Sequence, residues 1–430
     1  MLLGQRKRWQ LAAAACLLAA GCSATTPGKP EAPPPPPATR ALVTWAELMC
    51  STTDGLDKVR ADGTTADYTS GVNAQFYVQR TATSIENGKK TLKNLEPSKI
   101  AEADAYVAAL LKTLDALPLP SSDSMTTQNL PDDQQIAQAK QVAAIVGPLG
   151  KPKADLTEMV GKTPALLTSY NLAPSCAGPP GTPQRALVGW ANTMCASVKA
   201  VDGLRVDQPI SDDPRFAQFL NVELAHAIGD ATTKVDSVAQ PLAALAPTGI
   251  AEADAFKTEL VTALEAAKGQ LPKTTMMTGH DMPIAELKNQ VAKASDVLDS
   301  VKPKAQGLPA LAARLPQLTP SYDLAPLCTP LNAPPPTPKP LPAARNGTDV
   351  KACESGNCQV LVTGTVEFSV SGRKLKVVVS DQGVAISDDI SLLHLGDGGE
   401  GSSGNAGKMA HFHIAGFVPP SAVLDISTTA

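Results

Sequence analysis

Large rings are scarce in this chain: 3 Trp, 5 Tyr and 7 Phe among 430 residues. A core built on aromatic stacking is therefore excluded, and the abundant Ala, Leu and Val suit helices packed closely together. No window beyond the N-terminus holds 18 consecutive apolar residues, so no transmembrane helix is expected. Basic clusters are missing too, apart from Arg6-Lys7-Arg8. The formal net charge of −4 falls to −7 if residues 1–21 are removed with their three positive charges. An acidic chain without a basic patch argues against nucleic acid as a partner. Gly-x-Ser-x-Gly, His-Glu-x-x-His and the P-loop do not occur. The letters "SGRK" at 371–374 fit Ser-x-x-Lys, but they fall at an expected hairpin turn and lack the companion motifs. No catalytic constellation emerges, and no cofactor is implied. With 43% hydrophobic residues the chain can still bury several cores, and its length suggests two to four domains.

The first 22 residues have the form of an export signal. A basic segment, "MLLGQRKRWQ", precedes an apolar run, "LAAAACLLAA", too short to span a bilayer. It ends "LAAGC", with Cys22 after Gly21. This resembles the lipobox of bacterial lipoproteins, although Ala19 stands where an apolar Leu is usual. The resemblance implies removal of residues 1–21 and diacylglycerol on the Cys22 thiol. It also implies a membrane partner and a place on the extracytoplasmic face of the cell membrane. Two or more acyl chains suffice for stable attachment. The Pro-rich stretch at 22–39 reads as an extended tether.

Beyond the tether the chain repeats itself. "RALVTWAELMC" at 40–50 returns as "RALVGWANTMC" at 185–195, with 8 of 11 letters kept. "IAEADA" stands at 100–105 and again at 250–255, and "SYNLAPSC" at 169–176 returns as "SYDLAPLC" at 321–328. Three landmarks in the same order predict an internal duplication of about 140–150 residues. The period within each copy is helical. Leu42, Trp45 and Met49 form one stripe, and Ile100, Ala103, Val107, Leu111 and Leu114 another; Ile136, Val142, Ile145 and Leu149 continue it. The second copy answers with Leu187, Trp190 and Met194, with Phe216, Phe219 and Leu220, and with Ile250, Phe256, Leu260 and Leu264. Two homologous all-α helical bundles of four or five helices are expected, over 40–176 and 185–328, joined by a linker at 177–184. Trp45 and Trp190 read as core residues, with ligand stacking as the alternative.

Each copy carries two cysteines, Cys50 and Cys176, then Cys195 and Cys328. In an exported protein they should oxidise. Six cysteines permit 15 pairings, and duplication favours the symmetric one, within each copy. Their spacing is not that of a structural zinc site.

A second Pro-rich linker, 329–347, precedes a change of period from 3.6 to 2. The alternating runs over 348–430 predict about six short strands in a small all-β sandwich or barrel-like domain. Cys353 and Cys358 in "ACESGNC" enclose a turn with Gly356 and suit a local disulfide. "DVKACESGNCQVLVTGTVEF" resembles the start of a small uncharacterised β domain of secreted actinobacterial proteins, marked by Cys-Glu-x-Gly-x-Cys before a strand. The match covers about a fifth of the chain and implies no activity. With the Ala-, Pro- and Thr-rich composition, the whole chain resembles an exported actinobacterial lipoprotein.

Two clusters are candidates for metal. His411 and His413 share one strand face with Met409, and His394 is near in sequence; three imidazoles suit a metal ion. Met276, Met277, His280 and Met282 in "TTMMTGHDMP" are soft ligands of the kind Cu(I) prefers. The bland alternatives are a solvent-facing strand side and a loop with chance methionines. Asp132-Asp133, Asp212-Asp213 and Asp388-Asp389 read as helix-start or turn charges. The glycine-rich 396–407 reads as a mobile loop. The functional expectation is a non-enzymatic, lipid-anchored envelope protein that binds another envelope protein or a small ligand. A carrier or sensor of a small apolar ligand or metal ion is the alternative, and an unrecognised hydrolase a lesser one.

Overall fold

The computed structural model describes residues 37–65, 70–119, 130–176, 182–206, 217–274, 276–279, 282–333, 340–388, 391–405 and 408–429. The expected signal, Cys22, most of the tether, Phe216, His280, Asp212-Asp213 and Asp389 lie outside them, as do the side chains of Phe219, Met276 and Met277.

Among the described residues, α-helices run from Arg40 to Leu324 and strands from Cys358 to Thr429. The first helical stretch runs α1 (Arg40–Thr65), α2 (Gly71–Lys93), α3 (Ala101–Asp115), α4 (Asp132–Val146), α5 (Pro152–Gly161) and α6 (Pro164–Leu172). The second runs α7 (Pro183–Asp202), α8 (Ala217–Ala244), α9 (Ala251–Gln270), α10 (Met276–Gly279), α11 (Ile284–Asp299), α12 (Lys302–Ala305), α13 (Leu308–Arg314) and α14 (Thr319–Leu324). Each stretch therefore holds more helices than the four or five expected. The cause is proline: Pro152, Pro164, Pro303, Pro309 and Pro320 each sit in the first turn of a short helix, where the missing N–H is harmless, and each breaks what precedes it.

Each stretch has its own hydrophobic core. In the first, Trp45, Met49 and Cys50 of α1 pack with Ile85 of α2, Leu114 of α3, Leu156 of α5 and Leu166 of α6. In the second, Trp190, Met194 and Cys195 of α7 pack with Ile228, Leu260, Leu264 and Leu298. Small side chains such as Ala103, Ala253 and Ala294, all fully buried, let the helices approach closely. Along α4 the buried residues are Gln135, Ala139, Val142 and Val146; of the expected stripe Val142 and Leu149 are buried, while Ile136 and Ile145 are half-buried.

α3 and α9 begin with the same polar clamp. Ser98 donates its N–H and its hydroxyl to Asp104 Oδ1, both at 2.8 Å. Thr248 does the same to Asp254 Oδ1 at 2.7 and 2.9 Å, and the Gly249 N–H adds a bond to Oδ2 at 3.1 Å. Burial alone would raise the Asp254 carboxyl, but the bonds from Thr248 and Gly249 outweigh it and hold the group below its ordinary value.

The strand region consists of β1 (Cys358–Thr363), β2 (Thr365–Val370), β3 (Arg373–Ser380), β4 (Gly383–Ser387), β5 (Leu392–Leu395), β6 (Glu400–Asn405), β7 (Lys408–Val418) and β8 (Ser421–Thr429). They form two four-stranded antiparallel sheets, ordered β1-β8-β7-β6 and β2-β3-β4-β5. Val360, Phe368, Val377, Ile386, Phe412 and Leu424 belong to one hydrophobic cluster shared by both sheets. Two sequence expectations change here. Eight strands among the described residues stand where about six were expected, and the glycine-rich 396–407 is not a loop throughout: Glu400–Asn405 is strand β6, paired along its length with β7. Its Gly and Ser carry weak strand propensity, and pairing with a long neighbour overrides it. The linker's last residues also join the sheet, with the Asn346 N–H donating to Gln359 O at 2.9 Å and the Leu361 N–H to Gly347 O at 2.7 Å. This covers part of the open edge of β1.

Three disulfides close the fold: Cys50–Cys176, Cys195–Cys328 and Cys353–Cys358, with Cα–Cα distances of 5.1, 5.0 and 4.9 Å. The short one wraps a turn whose Gly356 has φ +92°, where a Cβ would collide with the Thr428 and Ser371 hydroxyls. The Cys195–Cys328 bond spans 133 residues. By chain entropy a loop of that length is worth about 5 kcal/mol. A Cys195→Ala/Cys328→Ala chain should lose stability of about that size in its second helical stretch, read from hydrogen exchange of the α7–α9 amides.

Candidate functional site

The repeated opening stretches become α1 and the body of α7, and what they do is hold chain ends. Trp45 and Trp190 are 2% and 3% exposed, which leaves no open ring face for stacking a ligand. Their indole N–H groups are buried without a hydrogen-bond partner. Two residues further along, the polar position in each repeat receives the tail. Glu47 accepts from the Ser175 N–H at 2.7 Å and from its hydroxyl at 2.6 Å. Asn192 Oδ1 accepts from the Leu327 N–H at 2.9 Å. The residue after each donor in the tail, Ser175 or Leu327, is the cysteine that bonds back to the same helix.

An arginine near the start of each helix completes the arrangement. Arg40 donates to the carbonyls of Asp323 at 3.1 Å, Pro326 at 2.9 Å and Cys328. Arg185 donates to the carbonyls of Pro174 at 3.4 Å and Cys176. Each arginine thus serves the tail of the other helical stretch, not its own. Burial lowers the pKa of the Arg40 guanidinium, with Asp323 and Tyr322 opposing that. Elsewhere in the first stretch, Asp54 of α1 binds Lys153 of α5 at 2.7 Å and Lys58 at 2.8 Å, and the bonds from Lys153 and then Lys58 hold its carboxyl below the usual value.

A second polar cluster bridges the two sheets. Asp388 is 2% exposed and accepts from Arg373 Nη2, from the Ser403 hydroxyl, and from the Ser391 N–H at 2.8 Å. Arg373 also donates to the Ser403 carbonyl at 2.7 Å. Arg373 and Asp388 lie on the side of the β2–β5 sheet and Ser403 in the other sheet, so the bonds that Ser403 makes to both members of the ion pair pin one sheet to the other. Asp388 does stand in the connection between β4 and β5, where a turn charge was expected, but it is buried and paired with Arg373. Asp132 and Asp133 do occupy the first turn of α4, where the helix dipole favours them.

The histidines are separated. His394 is exposed on β5, opposite Ala385, in the sheet of β2–β5. His411 is exposed and His413 half-buried on β7, while Phe412 and Ile414 face the core at 1% and 0% exposure. The register sets His413 between Glu400 and Asp425, and His411 between Ser402 and Ser427. Among the described residues no group of three or more His, Cys, Asp or Glu side chains is gathered closely enough to hold a metal ion. The methionine-rich stretch is not a loop throughout, since Met276–Gly279 is the short helix α10; of its four candidate ligands only the Met282 side chain is described, and it packs on the core of the second stretch with its sulfur 4.0 Å from the Gln290 amide nitrogen.

No family model matches the chain, and no curated protein or solved structure matches it. The residues that sequence reasoning passed over are Arg40, Arg185, Glu47, Asn192 and Arg373. A signal for the first two was present. A basic side chain in the first turn opposes the helix dipole, and this one is kept in both repeats. For the sheet pin, a buried carboxylate left alone is costly. Arg373→Ala should destabilise the strand region by about 3 kcal/mol, the lower end for breaking a buried pair, because Arg373 remains 25% exposed. Hydrogen exchange of the β3 and β6 amides reads it, and Arg373→Lys should recover part of the loss.

Proposed function

We propose that the protein is an exported, lipid-anchored envelope protein without catalytic activity, which offers two copies of a helical module and a small β domain for contact with another envelope protein. In this reading residues 1–21 are removed and Cys22 is acylated. Helical bundles over 40–176 and 185–328 arise by tandem duplication, and residues 348–430 form a β-sandwich of the actinobacterial kind. The carrying observation is the set of three disulfides, all buried, that account for every cysteine beyond Cys22. Such bonds persist in oxidising compartments and are rare in the cytosol. No helix among the described residues is long and apolar enough to cross a membrane, and the proposed attachment is the N-terminal acyl group. The duplication is supported by matched roles as well as matched letters, in the tail acceptors Glu47 and Asn192 and the clamps Ser98–Asp104 and Thr248–Asp254.

Surface for a partner exists on α2. Val72 and Phe76, one turn apart, are 58% and 65% exposed. An exposed aromatic beside an aliphatic is the type of group that anchors protein interfaces. The matched position of Phe76 in α8, counted from "IAEADA", is His226, so the two copies would not present the same surface. The test is intact mass of protein extracted from its native membranes, followed by capture of cross-linked partners with wild type and Phe76→Ser. The expected result is a mass for a chain beginning at an acylated Cys22 and a partner lost or weakened in the variant. An unprocessed mass, or co-purified lipid or copper with no protein partner, would contradict the proposal.

A further inference from the structure

We infer that the two helical stretches dock as an intramolecular two-fold pair, with Arg40 and Arg185 as matched anchors, and that the partner this surface fits is a second copy of the same helical module. The inference rests on the duplication proposed above. It goes beyond it, because duplicated modules can sit in tandem without any symmetric contact.

The donors are equivalent, since Arg40 and Arg185 open the repeated 11-residue stretches. The acceptors are equivalent too. "SYNLAPSC" and "SYDLAPLC" align Pro174 with Pro326 and Cys176 with Cys328, and the carbonyls of these four residues receive the two arginines. The bond from Arg185 to Cys176 joins residues only 9 apart, and by itself it would be a local feature of the linker. The bond from Arg40 to Cys328 joins residues 288 apart. Nothing in the chain's connectivity brings that second pair together. A two-fold axis does, because in an isologous contact the surface that meets residue j with residue i also meets i with j. The helices obey the same exchange: α6 packs on α7, and its counterpart α14 packs on α1, the counterpart of α7. Leu324 of α14 lies against both cores, which makes the contact partly apolar. One asymmetry remains, in that Arg40 also reaches the Asp323 carbonyl.

The arrangement has a geometric consequence. Arg40 follows the N-terminal tether, and Cys328 precedes the linker to the strand region. The clasp therefore holds the two ends of the helical pair side by side. It also occupies this surface, so an external partner must engage the pair elsewhere.

The test is hydrogen exchange of the full chain carrying Arg40→Ala, Arg185→Ala or both. The effect should be crossed. Arg40→Ala should speed exchange about tenfold at Leu327 and Cys328, in the second stretch, a factor that matches loss of one charge-assisted hydrogen bond. Arg185→Ala should do the same at Ser175 and Cys176, in the first stretch. Acceleration confined to the helix that carries the substitution, or none at all, would overturn the inference. Should an alanine variant fail to fold, Arg40→Lys keeps the charge and the stem but not the fork. It should show the same crossed pattern with a smaller factor, and an uncrossed pattern there overturns the inference equally. The outcome does not depend on whether a partner is captured, so the docking and the envelope-binding reading fail separately.

Discussion

Cys50 of α1 and Cys176 beyond α6 are joined, and so are Cys195 of α7 and Cys328 beyond α14. Almost every other feature of the helical part is arranged around those two bonds. Each fixes the last residues of a stretch against the middle of its first helix. The tail is then near enough for Glu47 or Asn192 to receive its N–H, and rigid enough to hold carbonyls out for an arginine from the other stretch. Magnitudes give the order of importance. Closing a loop of more than a hundred residues is worth about 5 kcal/mol in the chain-entropy account. A single hydrogen bond to a charged group is worth about 1.5–3 kcal/mol. The covalent closure sets the shape, and the arginine contacts use it.

Such closure suits the composition. With few aromatics, the cores rest on Leu, Val, Ile and Ala, and only one tryptophan anchors each helical core. Small side chains permit close helix packing but bury less area per residue. Prolines cut the last part of each stretch into short helices that cannot be stable alone. A bond from the tail to the first helix keeps those pieces in place. The strand region solves a similar problem with a buried ion pair, Arg373–Asp388, and a five-residue disulfide turn.

Periodicity made the long helices and most strands legible, since Trp45, Met49, Trp190 and Met194 lie in the core as their spacing demands. The repeated letters located the cysteines at matched ends of the helical stretches. What stayed hidden has a common cause: it depends on partners distant in the chain. β6 reads as a mobile loop because its Gly and Ser are ordered by partners outside it, the paired β7 and the Arg373–Asp388 pair. Asp388 reads as a turn charge because Arg373 and Ser403 reach it through the fold. Arg40 draws no notice in the sequence because its acceptors are more than 280 residues away. The helix-dipole argument was the one local clue, and it names a misfit without naming the partner. The metal candidates show the reverse, where residues close in sequence, His394, His411 and His413, are divided between two sheets.

The most direct measurement is non-reducing peptide mapping of the protein taken from its native host. The account requires three cross-linked peptide pairs, Cys50 with Cys176, Cys195 with Cys328 and Cys353 with Cys358, and no free thiol among the six. A bridge between the two helical stretches, or reduced cysteines in native material, would contradict it.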